Sequence, residues 1–425
     1  MLRIALVVPD YRYEWEDPRH ARFAVLQRAC EDGEVDLVVL PEHYACGTAE
    51  DVDEIAEDEA WYFGVATMLG IETESGFQTA AYRNPHPSKG ETEAHLYVKH
   101  STSPRIAFEW PGYATGAEKM FEPIVLGGRR LSVQVCHDMF FGLIGQRMQR
   151  AGADVFINIT GGNVNERKWT NVVRGRSLEL DAPFLCTMAE RGQRSGVGRA
   201  IAFHRGERMR AVRSEVTAAG SGGFEVYQVP SRTAPASRST REPYEQAFTN
   251  QQYDDITVSL SAERRASILL DERTGVAAFR GEELGGVGPW RRFASQVGRV
   301  GVLSLPLDAL ADGRALYAAL PPHDAIDHHV VLYWSPHTPG SRDAVLALAV
   351  LRAIEHRVGV VIACGDQREA IKTNRYKNIQ RMRCVDGVFG FNAEFLGGTR
   401  SIAGATPNLG IPQTSFDPYL AMLDR

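Results

Sequence analysis

The sequence predicts a layered α/β protein, and three observations carry that prediction. Short apolar runs recur that are continuous rather than alternating, such as IALVV at 4–8 and LVVL at 37–40, which is how strands covered on both faces read. Between them lie stretches with apolar residues at helical spacing. Two alternating segments, 70–87 and 91–100, are separated by a Pro/Gly cluster and read as antiparallel strands meeting at a hairpin.

Taken in order, Ile4 to Val8 is the first core strand: its apolar piece is short and no small-residue cleavage site follows, so it does not read as a leader. Asp17 to Gly33 places Phe23, Leu26 and Cys30 on one helical face before a glycine stop. The run VDLVVLPE is the next strand, and the acidic DVDEIAEDEAWYFGVATML (51–69) reads as one helix with an exposed face. LSVQV (131–135) is a strand that ends at Cys136. A helix then runs to Gly152, a strand spans Val155 to Thr160, a second helix reaches about Asp181, and a further strand starts at Phe184.

A chain of 425 residues exceeds the size at which single cores stop growing, so two domains are expected. We expect a first domain over 1–228, a linker or long loop over 229–250, where three prolines and many small polar residues fall, and a second α/β block over 251–425. The net charge of -6 gives no electrostatic reason to expect nucleic acid or an anionic membrane as partner, and no apolar run is long enough to span a bilayer. The six cysteines are scattered without short paired spacings, which fits free thiols, a cytoplasmic location and no zinc site. HDAIDHH (323–329) fits no metal-ligand spacing, and GSGG (220–223) lacks the strand-to-helix setting that phosphate binding needs. No metal and no cofactor are expected.

Three reactive side chains each follow a strand: Glu42 after LVVLP, Lys99 after AHLYV, and Cys136 after LSVQV. Singly, each has an ordinary reading: a cysteine packs as a small hydrophobe, a glutamate after proline is a solvated loop residue, and a lysine ending a strand is an edge charge. In this order, with the flanking strings PE, YVK and CHD, they resemble the carbon–nitrogen hydrolase (nitrilase) superfamily. The strings GADVFINIT and RGRSLELDAPFLC extend the resemblance over roughly residues 1–228.

That resemblance implies an αββα sandwich and a thiol hydrolase of non-peptide carbon–nitrogen bonds acting through a Cys thioester on an amide or carbamoyl substrate. It implies Cys136 as nucleophile, Glu42 as base and Lys99 as the stabiliser of the tetrahedral intermediate, with the backbone N–H of His137 as an oxyanion donor. A further glutamate is implied seven residues before a glycine, which Glu109 satisfies ahead of Gly116; Glu118 is the alternative. The candidate substrate-binding residues are His137, Trp110, Phe140 and Thr160, with Tyr113 and Phe141 as further wall candidates. An N-acyltransferase, a glutaminase that feeds a partner, and a catalytically silent binding or scaffold protein are the alternatives; a second copy of the chain or another protein is a further partner candidate.

The second block contains echoes of the first. RVGVLSLPLDAL (from Arg299) resembles RLSVQVCHDMFF (from Arg130), VVLYWS (330–335) resembles VFINIT, and RAIEHRVGVVIACGD (352–366) aligns on RSLELDAPFLCTMAE (176–190). We read it as a degenerate half of the same fold, with Leu305 at the cysteine position and no chemistry of its own.

Overall fold

The structure, a computed structural model, describes residues 1–8, 19–48, 50–74, 78–99, 119–140, 142–161, 166–189, 199–216, 223–231, 253–259, 265–271, 276–279, 282–287, 290–295, 298–311, 328–335, 342–356, 359–364, 387–389 and 395–397. Two compact units divide the chain, one built on residues 1–236 and the other on residues 237–417. Both are mixed α/β.

In the first unit the elements follow the order β1 (Arg3–Val8), α1 (Arg19–Glu31), β2 (Leu37–Val39), β3 (Ala45–Gly47), α2 (Val52–Phe63), β4 (Ala66–Thr73), β5 (Gln78–Arg83) and β6 (Ala94–Val98). Then come β7 (Ile124–Leu126), β8 (Arg129–Val135), α3 (Gly142–Arg150), β9 (Val155–Gly161), α4 (Glu166–Glu179) and β10 (Pro183–Ala189). Four strands complete the unit: β11 (Arg199–His204), β12 (Glu207–Arg208), β13 (Arg213–Ser214) and β14 (Gly223–Gln228). One sheet runs β13-β14-β1-β2-β4-β5-β6, with β3 also on β4, and the other runs β12-β11-β10-β9-β8-β7. The two runs read as strands covered on both faces, β1 and β2, pair in parallel with each other; β2 also pairs in parallel with β4, β8 with β9, and β9 with β10.

The two sheets face each other, β1 against β10 and β5 against β8, and the Thr187 hydroxyl donates to the Val7 carbonyl across that interface. Helices α1 and α2 cover the outside of the first sheet and α4 the outside of the second. Leu26, Ala29, Val35, Val38, Phe63, Leu69 and Ile71 belong to one buried cluster. Burial of this kind stabilises by about 25 cal/mol per Å² of apolar surface.

One element differs from expectation. The stretch 51–69 is not a single helix: α2 stops at Phe63, Gly64 caps it in the left-handed conformation (φ 69°), and the following VATML enters β4. Gly64 makes the stop cheap because it lacks a Cβ. The apolar residues beyond it gain more from a place beside β2 than from another turn of exposed helix. The helix is not merely a solvated face either, since Val52, Ala56, Ala60 and Phe63 are buried. The segments 70–87 and 91–100 do meet as antiparallel strands, β5 on β6, and Gly70 to Arg83 also folds back on itself as β4 on β5.

The second unit contains β15 (Tyr253–Ser259), β16 (Arg265–Asp271), β17 (Val276–Phe279), β18 (Glu282–Val287), β19 (Trp290–Ser295), β20 (Gly298–Pro306) and β21 (His328–Ser335). It continues with α5 (Arg342–His356), β22 (Gly359–Cys364), β23 (Gly387–Phe389) and β24 (Phe395–Gly397). The first three strands form one antiparallel sheet and β18 to β24 form another in simple sequence order. Along the second sheet β19/β20 is antiparallel, β20/β21 and β21/β22 are parallel, and β22/β23 and β23/β24 are antiparallel. The run β7 to β12 pairs in the same succession of directions. Each of β8 and β20 passes straight into a 3₁₀ turn, Cys136–Phe140 and Leu307–Ala311. Leu131 pairs with Val155, and Val302 pairs with Val330. With VVLYWS laid on VFINIT, that register puts Leu307, rather than Leu305, where Cys136 stands. The expected alignment slips by two because a strand of alternating small and apolar residues matches itself equally well at that shift.

Candidate active site

Glu42, Lys99 and Cys136 stand beyond the ends of β2, β6 and β8, and the structure brings them together. The Lys99 ammonium donates to Glu42 Oε1 at 2.7 Å, and the Gly161 N–H donates to Glu42 Oε2 at 2.9 Å. Each carboxylate oxygen of this buried side chain is thus held by a donor from a different sheet. The pair tolerates burial because its charges are matched and hydrogen-bonded.

How Glu42 reaches that position is a matter of backbone geometry. β2 and β3 both pair in parallel with β4, Val39 with Met68 and Ala45 with Ile71. Residues 40–44 therefore oppose only Leu69 and Gly70, and the surplus chain must leave the sheet. It arches over Gly70, where a Cβ would lie 2.5 Å from Glu42 Cα and 2.7 Å from the Pro41 carbonyl oxygen. From the facing sheet Gly161 closes on the same arch, and a Cβ there would meet the Glu42 carbonyl oxygen at 2.8 Å. Two glycines, one on each sheet, leave the space through which the Glu42 loop passes.

Cys136 opens the turn after β8 with φ 52°, in the left-handed region. For a residue with a Cβ such a conformation is strained by about 1 kcal/mol or more, and surrounding contacts must enforce it. The Asn158 amide donates to the carbonyls of Gln134 (3.2 Å) and Cys136 (3.1 Å). Tyr97 donates its hydroxyl to Asp138 (2.8 Å), tying the lysine-bearing strand to the turn. Buried Arg176 donates Nε to the Met139 carbonyl (2.6 Å) and also pairs with Glu179. The turn is pinned at 136, 138 and 139.

Glu42, Lys99 and Thr160 all lie near enough to the buried Cys136 thiol to shift its pKa. Burial, with the Glu42 carboxylate adding to it, pushes the Cys136 thiol far above the usual cysteine range, while the Lys99 charge and Thr160 pull the other way. For Lys99 burial disfavours the charged form, but its neighbours Cys136, Glu42 and Asp138 together raise its pKa. The resting thiol is protonated and needs a base at hand. His137 lies beside it, Nδ1 3.1 Å from Sγ, with its ring edge-on to Phe140 and to Trp169.

Of the substrate-binding candidates, His137 lies against the thiol, Thr160 is near enough to affect its pKa, and Phe140 packs against the His137 ring. Glu109, its alternative Glu118, Trp110, Tyr113 and Phe141 lie outside the described residues, as do residues 323–327 of the histidine cluster. Sequence reasoning missed Gly70, Gly161, Asn158 and Trp169, together with His43 and Gln78 beside the Glu42–Lys99 pair, and it quoted Tyr97 and Asp138 only within the strings YVK and CHD, without a role. Tyr97 and Asp138 had a signal, since each lies two residues from a reactive side chain. Among the described residues no helix is long and apolar enough to cross a membrane.

No family model matches the chain, and no curated protein matches it. Solved structures do resemble it. The amidase of Nesterenkonia sp. AN1 is 19% identical, with 54% of this chain and 94% of that one covered and a TM-score of 0.38. A variant of that amidase, with the acetamide moiety of fluoroacetamide added covalently at its active-site cysteine, is 20% identical over 54% of this chain and 90% of that one, with a TM-score of 0.39. A further variant, in complex with butyramide, is 18% identical over 54% and 91%, also with a TM-score of 0.39.

Proposed function

We propose that the first unit is a thiol-dependent hydrolase of non-peptide carbon–nitrogen bonds, acting on a small amide or carbamoyl compound. The observation that carries this reading is the Glu42 carboxylate, gripped through both oxygens by Lys99 and Gly161 and facing the protonated Cys136 thiol. A base already aligned on a thiol is the arrangement that makes sulfur nucleophilic without a permanently free thiolate.

In the proposed cycle Glu42 takes the thiol proton as Cys136 Sγ bonds to the carbonyl carbon. Negative charge then gathers on the carbonyl oxygen, where the Lys99 ammonium and the backbone N–H of His137 stabilise it. Glu42 returns the proton to the leaving nitrogen, the carbon–nitrogen bond breaks, and ammonia or an amine departs from a thioester. Water, deprotonated by Glu42, attacks the thioester carbon; the carbon–sulfur bond breaks, the acid leaves, and Cys136 regains its proton. No metal or cofactor takes part. The second unit enters this reading as a degenerate copy of β7 to β12 with Leu307 in place of the thiol, and the substrate as a small molecule in a cytoplasmic setting.

The test is ammonia release from a panel of amides, carbamoyl amino acids and nitriles, run beside Cys136→Ala. Turnover of an amide or carbamoyl compound that disappears in the variant supports the reading. Turnover that survives in Cys136→Ala removes the nucleophile, and a chain inert to the whole panel favours a silent binding role.

A further inference from the structure

A row of side chains crosses three strands of the second sheet and ends at the nucleophile's turn. β9 lies between β8 and β10, and Asn158 pairs in register with Gln134 on one side and with Cys186 on the other. Asn158 and Cys186 are fully buried. The Asn158 amide nitrogen meets the carbonyl oxygens of Gln134 at 3.2 Å and of Cys136 at 3.1 Å, while Cys186 Sγ lies 3.4 Å from Asn158 Oδ1. The catalytic reading uses neither side chain.

Donor and acceptor counting orients the whole row. Carbonyl oxygens only accept, so Asn158 turns its NH₂ toward β8 and gives one hydrogen to each of the two carbonyls. Its oxygen then faces β10, where the Cys186 S–H is the donor. That thiol keeps its proton, because burial, with Cys136 and Glu42 adding to it, holds it far above the usual cysteine range. The Thr187 carbonyl, 3.7 Å from the same sulfur, is the more distant acceptor. Asn158 thus grips the peptide plane that joins Cys136, itself left-handed with φ 52°, to His137. A trans peptide is planar, with its C=O and N–H pointing opposite ways. Fixing the Cys136 carbonyl on Asn158 therefore fixes the His137 N–H in the direction away from Asn158.

We propose that Asn158, oriented by Cys186, is the positioning residue that aims the His137 N–H at the carbonyl oxygen of the substrate. The proposal rests on the catalytic reading above, in which that N–H is an oxyanion donor. Asn158 does not act on the sulfur, which has Glu42, Lys99, Thr160 and the His137 ring near it instead. Without the amide, the peptide plane after Cys136 can turn about the Cys136 Cα–C bond. That rotation carries the His137 N–H with it and leaves Cβ and Sγ where they are. A donor turned off the oxyanion removes stabilisation that exists only once the carbonyl has been attacked, so acyl chemistry slows while the thiol keeps its own reactivity.

Two reactions of the same thiol provide the test. Amide hydrolysis passes through an oxyanion, whereas alkylation by iodoacetamide displaces iodide at a saturated carbon and develops none. In the full chain, kcat and KM are measured on an amide that the unaltered protein turns over, and alkylation at Cys136 is read by peptide mass spectrometry relative to Cys46, an exposed thiol that serves as internal reference. Asn158→Leu removes both donors at similar volume and is expected to lower kcat about 10²-fold, with KM and the alkylation ratio unchanged. Cys186→Val, which has no donor for Asn158 Oδ1, should lower kcat about ten-fold, and Cys186→Ser should restore what that variant loses; this pair carries the test if Asn158→Leu does not fold. Turnover undiminished in folded Asn158→Leu or in Cys186→Val, turnover and alkylation that fall together, or Cys186→Ser as slow as Cys186→Val, overturns the positioning role and leaves the catalytic reading intact. An unaltered chain inert to every amide, or turnover that survives in Cys136→Ala, overturns the catalytic reading and the positioning role with it.

Discussion

In the turn after β8, buried Arg176 donates Nε to the carbonyl of Met139; in the turn after β20, buried Arg352 donates Nε to the carbonyl of Leu310 at 3.0 Å. The strand register places Met139 and Leu310 at corresponding positions, and α4 and α5 each pack against their own turn. What differs is the first residue, Cys136 in one and Leu307 in the other. The comparison separates two properties that are often assumed to travel together. An arginine on a packed helix ties down the strand-end turn in both units, whereas the proposed chemistry also calls for a loop from the facing sheet, which in the first unit is the Glu42 arch between Gly70 and Gly161.

The largest effect should come from exchanging the residue that differs. Cys136→Ala is expected to abolish amide turnover with the far-ultraviolet circular dichroism unchanged, and Leu307→Ala to leave turnover intact; turnover lost equally in both variants would erase the contrast. Next, Glu42→Gln and Lys99→Met should each slow turnover by about 10²-fold or more. The double variant should be little slower than either single one, because the two groups act as a unit with the thiol; steady-state rates that multiply would argue for separate roles.

Gly70→Ala tests whether the arch is what the second unit lacks. Its methyl group would overlap Glu42 Cα, so we expect a loss of about 1–3 kcal/mol in urea unfolding and a fall in turnover larger than that stability loss explains. Retained activity with retained stability would mean that the loop does not depend on the glycine.

The turn-holding arginines should give a matched pair of smaller effects. Arg176→Met and Arg352→Met each remove a charge-assisted bond to a buried carbonyl, worth about 1.5–3 kcal/mol, and only Arg176→Met should also lower turnover. An alkaline effect of comparable size is expected in the first unit. Burial pushes the Cys30 thiol up to about 12 from 9.0. Above about pH 9 the unfolded thiol ionises while the folded one keeps its proton, so folded stability drops as the pH rises, by at most about 1.4 kcal/mol per pH unit. Urea midpoints between about pH 8 and about pH 11 should decline less steeply in Cys30→Ala.

The strands of the first unit and the reactive residues at their ends were legible from sequence because both are local. A continuous apolar run announces a buried strand, and Glu42, Lys99 and Cys136 each stand beside one. The end of α2 was misplaced because VATML satisfies helical and strand patterns alike, and only its place between β2 and β5 decides between them. Leu305 was aligned with Cys136 for a related reason: pairing register is set across strands, not along one. The tertiary structure alone decided that Gly161 would grip Glu42 across 119 positions of sequence, that residues 40–44 would arch over Gly70, and that Glu72, His43, Gln78 and Lys99 would fall into one hydrogen-bonded row. Periodicity along a chain reports which face is buried. Which buried groups then meet depends on distances between strands that share no local pattern, and those distances exist only once the two sheets have closed on each other.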